Sequence, residues 1–487
     1  MPIYLIGMMG SGKTTIGKIL SNVLNKKFID LDVEIEKRER KKIKMIFSQN
    51  GEKYFRDIET KILKKTESED AIISTGGGII LKKENREILK KHKTFFLYVP
   101  IEELIKRVNI ENRPLLKDGK NILFKIWYER KELYNKFDKV DLTNLNEFES
   151  AAKILYKICE EKSEKIENDF QNAIIKITGL KELKSKENIF VSKTVNRIYG
   201  KIFTNPYVLN DGESIKNYDN VKKIYTYLIK NKISRKDTIY GVGGGTVTDL
   251  IGFVGSTFKR GLNIKFYPTT LLAQVDASIG GKNAVNFENI KNAIGTFKIP
   301  EEVIIDPLTV ISQKEENYFE GIVEAFKIAI IDGNISLFLN NIDKIKRREL
   351  KTIIEILKYA VKVKLDIVSQ DPYDNNIRKI LNLGHTYGHA FESYTGISHG
   401  LSVGWGLLKE VELSEKLGNK SKDFNLIKDF IYNILPSEII NIHLDKNQIF
   451  KYIIQDKKIE KIEKIEIPII KSIGNVDLEV TMLERLS

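Results

Sequence analysis

The stretch "IYLIGMMGSGKTTIGKIL", residues 3 to 20, decides how the first part of the chain folds. A short apolar run reads as a strand, a glycine-rich turn interrupts it, and "TTIGKILSNVL" continues as a helix. Between them "GMMGSGKT", Gly7 to Thr14, matches the phosphate-binding loop G-x-x-x-x-G-K-[ST]. In such a loop backbone amides wrap the phosphates, here around Gly10, Ser11, Gly12 and Thr15; Lys13 neutralises charge and the Thr14 hydroxyl holds Mg²⁺. A glycine-rich turn with a chance lysine would not need the strand-to-helix junction that this loop occupies.

Outward from the loop, "KFIDLD", "AIISTGGGII" and "TFFLYVP" alternate with helical stretches, which predicts a parallel sheet covered by helices. Asp30 and Asp32, in "FIDLDVEIE", alternate at the end of a predicted strand and are expected to face one side, one serving Mg²⁺ and the other an acceptor hydroxyl. "GEKYFRDIE" supplies Arg56, and "STGGGII" places Gly76, Gly77 and Gly78 beyond a strand, where backbone must approach something closely. "RVNIENRPLL" adds Arg107 and Arg113, and "YERKELY" adds Arg130. Each arginine alone fits a solvated surface position.

With 487 residues, two or three domains are expected. Hydrophobic residues at 42% and charged residues at 30% describe a globular protein with a lysine-rich surface. One cysteine, Cys159, excludes an internal disulfide framework. The start enters a strand without the succession of a signal peptide, and no apolar run approaches the roughly 18 residues of a membrane span, so a cytoplasmic location without membrane contact is expected. A net charge of +14 raises the question of nucleic acid, but the lysines are spread through amphipathic helices rather than interleaved with aromatics in one patch, so no nucleic-acid partner is expected. "EEKSEKIENDF", residues 160 to 170, is charged and poor in apolar residues and reads as a linker.

Past the linker the alternation resumes. Gly243, Gly244 and Gly245 follow a strand and precede an apolar helix, which suits a pyrophosphate or a tight structural turn. Asp276, Lys282, Asn286, Lys291 and Asn292 have no amphipathic-helix rationale as a set, and Gly280 and Gly281 beside Lys282 point to a binding site. His385 and His389 stand four apart, on one face of a predicted helix, and His399 follows a turn marked by Gly396. Clustered imidazoles make a metal site, although no zinc signature has this spacing and unrelated polar positions remain an alternative. "GIVEAFKIAI" offers Glu324 and Lys327 on an otherwise apolar helix, where both need partners.

Two resemblances organise these residues. Residues 1 to 160 resemble the shikimate kinase family. That resemblance implies ATP with Mg²⁺ held by Thr14 and Asp30; shikimate held by Asp32, Arg56, Gly76 to Gly78 and Arg130; Arg113 in a lid over ATP; and Arg107 beside the adenine. Lys13 and Asp32 would carry the transfer, with the arginines clamping the carboxylate. The order "DGESIK", "GGGTVTDLIGF", "RG", "PTTLLAQVDASIGGK", "KNAIGTF", "VEAFK", "LNLGHTYGHA", "HG" resembles 3-dehydroquinate synthase from about residue 170 to 487. It implies an α/β, Rossmann-like NAD-binding domain at 171–300, after a 161–170 linker, and a mostly helical metal- and substrate-binding domain at 301–487. Glu324, His385 and His399 would hold Zn²⁺ or another divalent ion such as Co²⁺. Glu213, Lys216, Gly244, Gly245, Asp249, Thr269, Thr270, Lys282 and Lys291 would line the NAD site. Lys327, Lys364, Arg378, Asn382 and Asn292 would bind heptulosonate phosphate, with Asp276 and Lys282 at the reacting centre and His389 in proton transfer. Arg260 would reach a neighbouring subunit's phosphate site, which implies a homodimer. NAD is then reduced and re-oxidised within one turnover, and the net reaction eliminates phosphate.

The chain departs from the synthase pattern at Leu401, where a glutamate is usual, at Asp374, which shortens a glutamate, and at Ser192, where an acidic ribose contact is common. The segment between His389 and His399 is also short. A metal-dependent polyol dehydrogenase shares the layout but binds a neutral substrate, without need for Lys282, Lys327, Lys364 and Arg378. A non-catalytic nucleotide-sensing or nucleic-acid-binding protein would need neither Lys13 nor His385.

Overall fold

A computed structural model of the chain describes residues 1–107, 122–288, 290–444, 448, 452–453 and 464–482. Two compact units divide it, one built on Met1–Cys159 and the other on Glu160–Lys346 and Lys351–Ser487. Among the described residues no helix is long and apolar enough to cross a membrane.

The first unit is a five-stranded parallel sheet of β1 (Ile3–Ile6), β2 (Lys27–Asp30), β3 (Ala71–Ser74), β4 (Lys93–Tyr98) and β5 (Asp138–Asp141) in the order β2-β3-β1-β4-β5. β1 and β3 are buried at every position, which is why both read as unbroken apolar runs rather than alternating ones. The chain passes from β3 to β4 on opposite sides of β1, so the loop after β1 lies where strand order reverses and a crevice opens.

The second unit begins with a seven-stranded sheet: β6 (Lys162–Ile166), β7 (Ala173–Ile177), β8 (Ile189–Ser192), β9 (Tyr207–Leu209), β10 (Thr238–Gly243), β11 (Asn263–Pro268) and β14 (Glu302–Ile305), in the order β6-β7-β14-β11-β10-β8-β9. The stretch read as a linker is therefore largely an edge strand, antiparallel to β7. Four of its five side chains are exposed and only Ile166 is buried, so its backbone ladder left no apolar trace in the sequence. β14 lies beyond the boundary expected at 300, because it pairs between β7 and β11 inside the sheet. The polar segment after β11 forms an antiparallel ribbon, β12 (Lys282–Phe287) with β13 (Ile290–Phe297).

Helices follow: Glu315–Asp332, Leu350–Gln370, His385–Thr395, His399–Lys416 and Asp423–Ile434. The first is buried on nearly every side, as an apolar helix inside a core must be. The two histidine-bearing helices cross at glycines. A Cβ on Gly406 would lie 2.0 Å from the Gly384 carbonyl oxygen and 2.7 Å from the Gly388 nitrogen. Unanticipated from sequence, a C-terminal hairpin of β15 (Lys464–Ser472) and β16 (Asn475–Met482) packs Ile465, Ile467 and Ile469 against Tyr387, Phe391 and Trp405 of these helices.

Two candidate active sites

In the first unit Gly12, at φ 85°, starts the helix Lys13–Leu24. Its left-handed backbone leads the loop into the helix, whose N-terminus favours an anion. Lys13 Nζ donates to the carbonyls of Gly7 (3.0 Å) and Met8 (2.9 Å), which holds the ammonium across the loop. Thr14 Oγ1 donates to Asp30 Oδ2 at 2.8 Å, bringing together the two oxygens expected to serve Mg²⁺. Asp30 ends its strand and its Oδ1 caps the next helix, Leu31–Glu39, by accepting from the Asp32 amide at 3.1 Å. Asp32 is thus in a helix, not on the strand; capping by Asp30 overrides the alternation read from sequence.

Several of the residues expected to hold the acceptor gather around Gly76 to Gly78. A Cβ on Gly76 would lie 2.9 Å from both Asp32 Oδ1 and Glu59 Oε1, and one on Gly78 would lie 2.2 Å from Arg56 Nη2. Those glycines therefore make room for side chains that converge on the crevice. Arg130 Nη1 and the Tyr134 hydroxyl both donate to the Gly77 carbonyl, at 2.9 and 2.5 Å. Arg56 is buried, with Nη1 bonded to Glu59 Oε2 at 2.8 Å and Nε and Nη2 bonded to Glu52 Oε1 at 3.2 and 3.0 Å. Burial pulls the Arg56 guanidinium down, but Glu59 and Glu52 outweigh it and hold it above its usual range. Burial pushes the Glu59 carboxyl up against the pull of Arg56. Glu52, Glu59 and Tyr134 were not found from sequence; a buried glutamate on an amphipathic helix carries no motif. Arg107 is exposed and paired with Glu103 at 3.2 Å, and Arg113 lies outside the described residues.

In the second unit Gly244 precedes the helix Gly245–Thr257. A Cβ there would lie 3.1 Å from Thr270, and the Thr269 amide donates to the Gly243 carbonyl at 2.8 Å, so the glycine turn is pressed against the next strand end. One turn into the helix, Asp249 Oδ2 accepts from Lys216 Nζ at 2.5 Å, and Glu213 Oε1 accepts from Asn286 Nδ2 at 2.9 Å. Burial, against Lys216, pushes the Asp249 carboxyl up to about 6. A cleft of ≈ 340 Å³ is lined by Glu213, Lys216, Asn286 and Lys291 among others. Ser192, one of the departures, caps the helix Lys193–Tyr199 by accepting from the Val195 amide.

The three histidines converge. One ring nitrogen from each of His385, His389 and His399 falls within 4.8 Å of the others. Glu324 Oε1 lies 3.7 Å from His385 Nε2 and 3.6 Å from His399 Nε2. Ligands on a tetrahedral zinc stand about 3.4 Å apart, from bonds of about 2.05 Å. Glu324 is fully buried, yet neither of its oxygens accepts a hydrogen bond among the described residues. Lys327 Nζ approaches Oε2 to 2.6 Å as an ion pair but directs its hydrogen bond to the Leu381 carbonyl. A buried carboxylate with unfilled lone pairs is costly unless a cation meets them. His385 Nδ1 lies 3.0 Å from the Leu383 carbonyl, which can only accept; the proton is therefore on Nδ1 and the lone pair on Nε2, facing Glu324. Burial, with Lys327 and the neighbouring imidazoles, holds His385 well below its ordinary value and so neutral. His399 Nδ1 pairs with Glu392 Oε2 at 3.2 Å, which likewise aims Nε2 at Glu324. Burial alone would lower His399, but Glu392 and Glu324 carry it above its ordinary value. The donor set of Glu324, His385 and His399 fits a divalent ion.

Around this cluster sit buried cations. Lys364 Nζ pairs with Asp276 Oδ1 and donates to the Asp276 carbonyl, and Arg378 donates to the carbonyls of Gly280 (3.1 Å) and Pro372 (2.8 Å). Burial alone would raise the Asp276 carboxyl; Lys364 and Lys327 hold it below the usual carboxylate range. Asn382 lines a ≈ 240 Å³ cleft with Asp374 and Thr386. On the ribbon, Lys282 pairs with Asp374, Lys291 with Glu392, and the exposed Asn292, at φ 54°, donates its amide to Asn286 Oδ1. Arg260, at φ 67°, is exposed and among the described residues makes no hydrogen bond or ion pair, so nothing within the chain ties it to the cluster.

A phosphate loop beside a glycine turn lined by Arg56 and Arg130, and a glycine-turn α/β layer beside a clustered Glu–His–His set, describe a two-headed enzyme: a P-loop small-molecule kinase joined to a synthase. The family models agree in order, shikimate kinase matching residues 9–161, 3-dehydroquinate synthase N-terminal residues 206–320 and 3-dehydroquinate synthase C-terminal residues 321–459. A Thermotoga maritima protein, the bifunctional shikimate kinase/3-dehydroquinate synthase, is 44% identical over 100% of this chain and 99% of its own length. The chain belongs to the bifunctional shikimate kinase/3-dehydroquinate synthase family. A 3-dehydroquinate synthase of Thermoplasma volcanium is 39% identical over 59% of this chain and 83% of its own. In fold, the second unit is like a 2-epi-5-epi-valiolone synthase from Streptomyces hygroscopicus solved with NAD⁺ and Zn²⁺, with a TM-score of 0.59 at 20% identity, covering 66% of this chain and 96% of that one.

Proposed function

We propose that the chain carries out two reactions: ATP-dependent phosphorylation of shikimate to shikimate 3-phosphate, and NAD- and metal-dependent conversion of 3-deoxy-arabino-heptulosonate 7-phosphate to 3-dehydroquinate and phosphate. The kinase occupies residues 1–160; the synthase follows, with its NAD-binding layer extended to β14 and its helical part after that. For the kinase, the supporting observation is the convergence of Asp32, Arg56 and Arg130 on the Gly76–Gly78 turn. Arg56 and Arg130 clamp the carboxylate of shikimate, Asp32 orients the hydroxyl and takes its proton, and Lys13 stabilises the transferring phosphoryl group. Thr14 and Asp30 hold Mg²⁺.

For the synthase, the carrying observation is the fully buried Glu324 carboxylate, ion-paired through Oε2 to Lys327 and facing His385 Nε2 and His399 Nε2 with Oε1. Glu324, His385 and His399 hold Zn²⁺ or Co²⁺. When bound, NAD takes up and returns a hydride while the ion polarises the oxygen being oxidised. Lys327, Lys364, Arg378 and Asn382 bind the substrate's carboxylate and phosphate; Asp276 and Lys282 orient its hydroxyls; His389 moves a proton. Glu213, Lys216, Gly244, Gly245, Asp249, Thr269, Thr270 and Lys291 hold NAD. A polyol dehydrogenase, with a neutral substrate, gives no reason for so many buried cations. Arg260, projecting from this chain, serves a second copy's phosphate site, so the synthase half is a homodimer, in the cytoplasm.

The purified chain should form ADP only with shikimate and release phosphate from the heptulosonate phosphate only with NAD. Chelation should silence phosphate release alone once Mg²⁺ is restored. Shikimate-independent ATP consumption would count against the first assignment, and chelator-resistant phosphate release against the second.

A further inference from the structure

The two imidazoles of the Glu–His–His set are oriented by different partners. His385 Nδ1 rests on the Leu383 carbonyl, a neutral group fixed in the backbone. His399 Nδ1 rests on the Glu392 carboxylate, a charged group that is also engaged elsewhere. Glu392 lies one turn beyond His389 on the helix His385–Thr395, with its side chain 21% exposed. One oxygen, Oε2, meets His399 at 3.2 Å; the other, Oε1, accepts from Lys291 Nζ at 2.7 Å. Lys291 belongs to β13 and lines the ≈ 340 Å³ cleft together with Glu213 and Lys216. Glu392 therefore links the two places, bonded on one side to a lysine of the cleft and on the other to an imidazole of the Glu–His–His set.

A carboxylate behind a ligand imidazole fixes its tautomer and raises its donor strength. An ammonium on the same carboxylate draws charge away from that bond. When a dinucleotide pyrophosphate fills the cleft, the Lys291 ammonium gains a competing anion and its hold on Glu392 loosens. Glu392 then bears on His399 alone. We propose that Glu392 is a positioning residue for the ligand His399, and that its shared bond to Lys291 couples ion binding to occupancy of the dinucleotide cleft. This rests on the metal reading given above. Linkage requires the coupling to be reciprocal, so the ion tightens the dinucleotide by the same factor that the dinucleotide tightens the ion.

The test is a Co²⁺ titration of the metal-stripped full chain, read from the visible absorption of the bound ion, with and without saturating NAD, in wild type and in Glu392→Gln, Glu392→Asp and Lys291→Met. In wild type NAD is expected to tighten Co²⁺ by about five-fold or more. Glu392→Gln should weaken Co²⁺ by about 10- to 100-fold and move the absorption band, with Glu392→Asp recovering part of both. Lys291→Met, whose exposed side chain makes misfolding no concern, should bind Co²⁺ without NAD nearly as tightly as wild type does with it, and show no further response to NAD. An unchanged dissociation constant and spectrum in Glu392→Gln would overturn the positioning role. A full NAD response in Lys291→Met would overturn the coupling. A wild-type chain with no saturable Co²⁺ band, or His385→Ala binding Co²⁺ as wild type does, would overturn the metal reading and this proposal with it.

Discussion

The two sites hold their charges by opposite means. Around the phosphate loop cations lean on backbone, Lys13 on the Gly7 and Met8 carbonyls and Arg130 on the Gly77 carbonyl, although the neighbouring Arg56 is held by the acids Glu52 and Glu59. In the second unit acids and bases hold each other: Glu324 with Lys327, both fully buried, and the part-buried Asp276 with Lys364 and Glu392 with His399. Removing Lys13 or Arg130 leaves neutral carbonyls that water can satisfy. Removing one from the second strands a buried charge. The phosphate loop should therefore lose rate without losing stability, whereas the metal-centred site should lose both.

The widest separation is expected from His385→Ala. Phosphate release should fall about a thousand-fold or more, since an ion in such a site is worth several kcal/mol, while ADP formation with shikimate is unchanged. A matching fall in ADP formation would mean that the two sites are not independent. Lys364→Met comes next: with the part-buried Asp276 deprived of its nearest cation, denaturant unfolding of the second unit should lose roughly 1.5 to 3 kcal/mol. Lys13→Met should slow ADP formation roughly a hundred-fold with little change in the unfolding midpoint; a large drop in stability would break the contrast.

The smallest effect is one of pH. The Asp249 carboxyl, pushed up to about 6 by burial, gains a proton as pH falls through that value and loses its ion pair with Lys216, which with it is proposed to hold NAD. NAD affinity, followed by fluorescence titration, should decline a few-fold between about pH 7 and about pH 5, and Asp249→Asn should flatten the profile. Its linkage to folding has the opposite sense: a carboxyl raised above its unfolded value binds the proton more tightly in the folded state, so its contribution to stability declines as pH climbs from about 4 to about 6.

The same contrast explains what could be read in advance. The phosphate loop is contiguous, so strand, turn, lysine and threonine are legible in one short stretch. Its supporting acids are not: Glu52 and Glu59 sit on helical faces that resemble any solvated helix, and Asp32 was assigned to a strand because alternation does not reveal that Asp30 caps a helix. In the second unit the histidines drew notice because the chain holds only 5; Glu324, more than fifty residues upstream, stood out as an acid on an apolar helix, and only family resemblance joined it to them. Glu392 was missed although it stands in the same helix, because a carboxylate behind an imidazole has no spacing rule of its own. The edge strand Lys162–Ile166 was read as a linker because backbone pairing, unlike burial, leaves no hydropathy pattern.

Where Gly406 meets Gly384 the two histidine-bearing helices touch backbone to backbone, with no space for even a methyl group. Main chain in direct contact admits one crossing depth, and that depth sets how far apart the imidazoles of His385 and His399 stand. The spacing that the proposed ion would meet is thereby written into two residues that have no side chains.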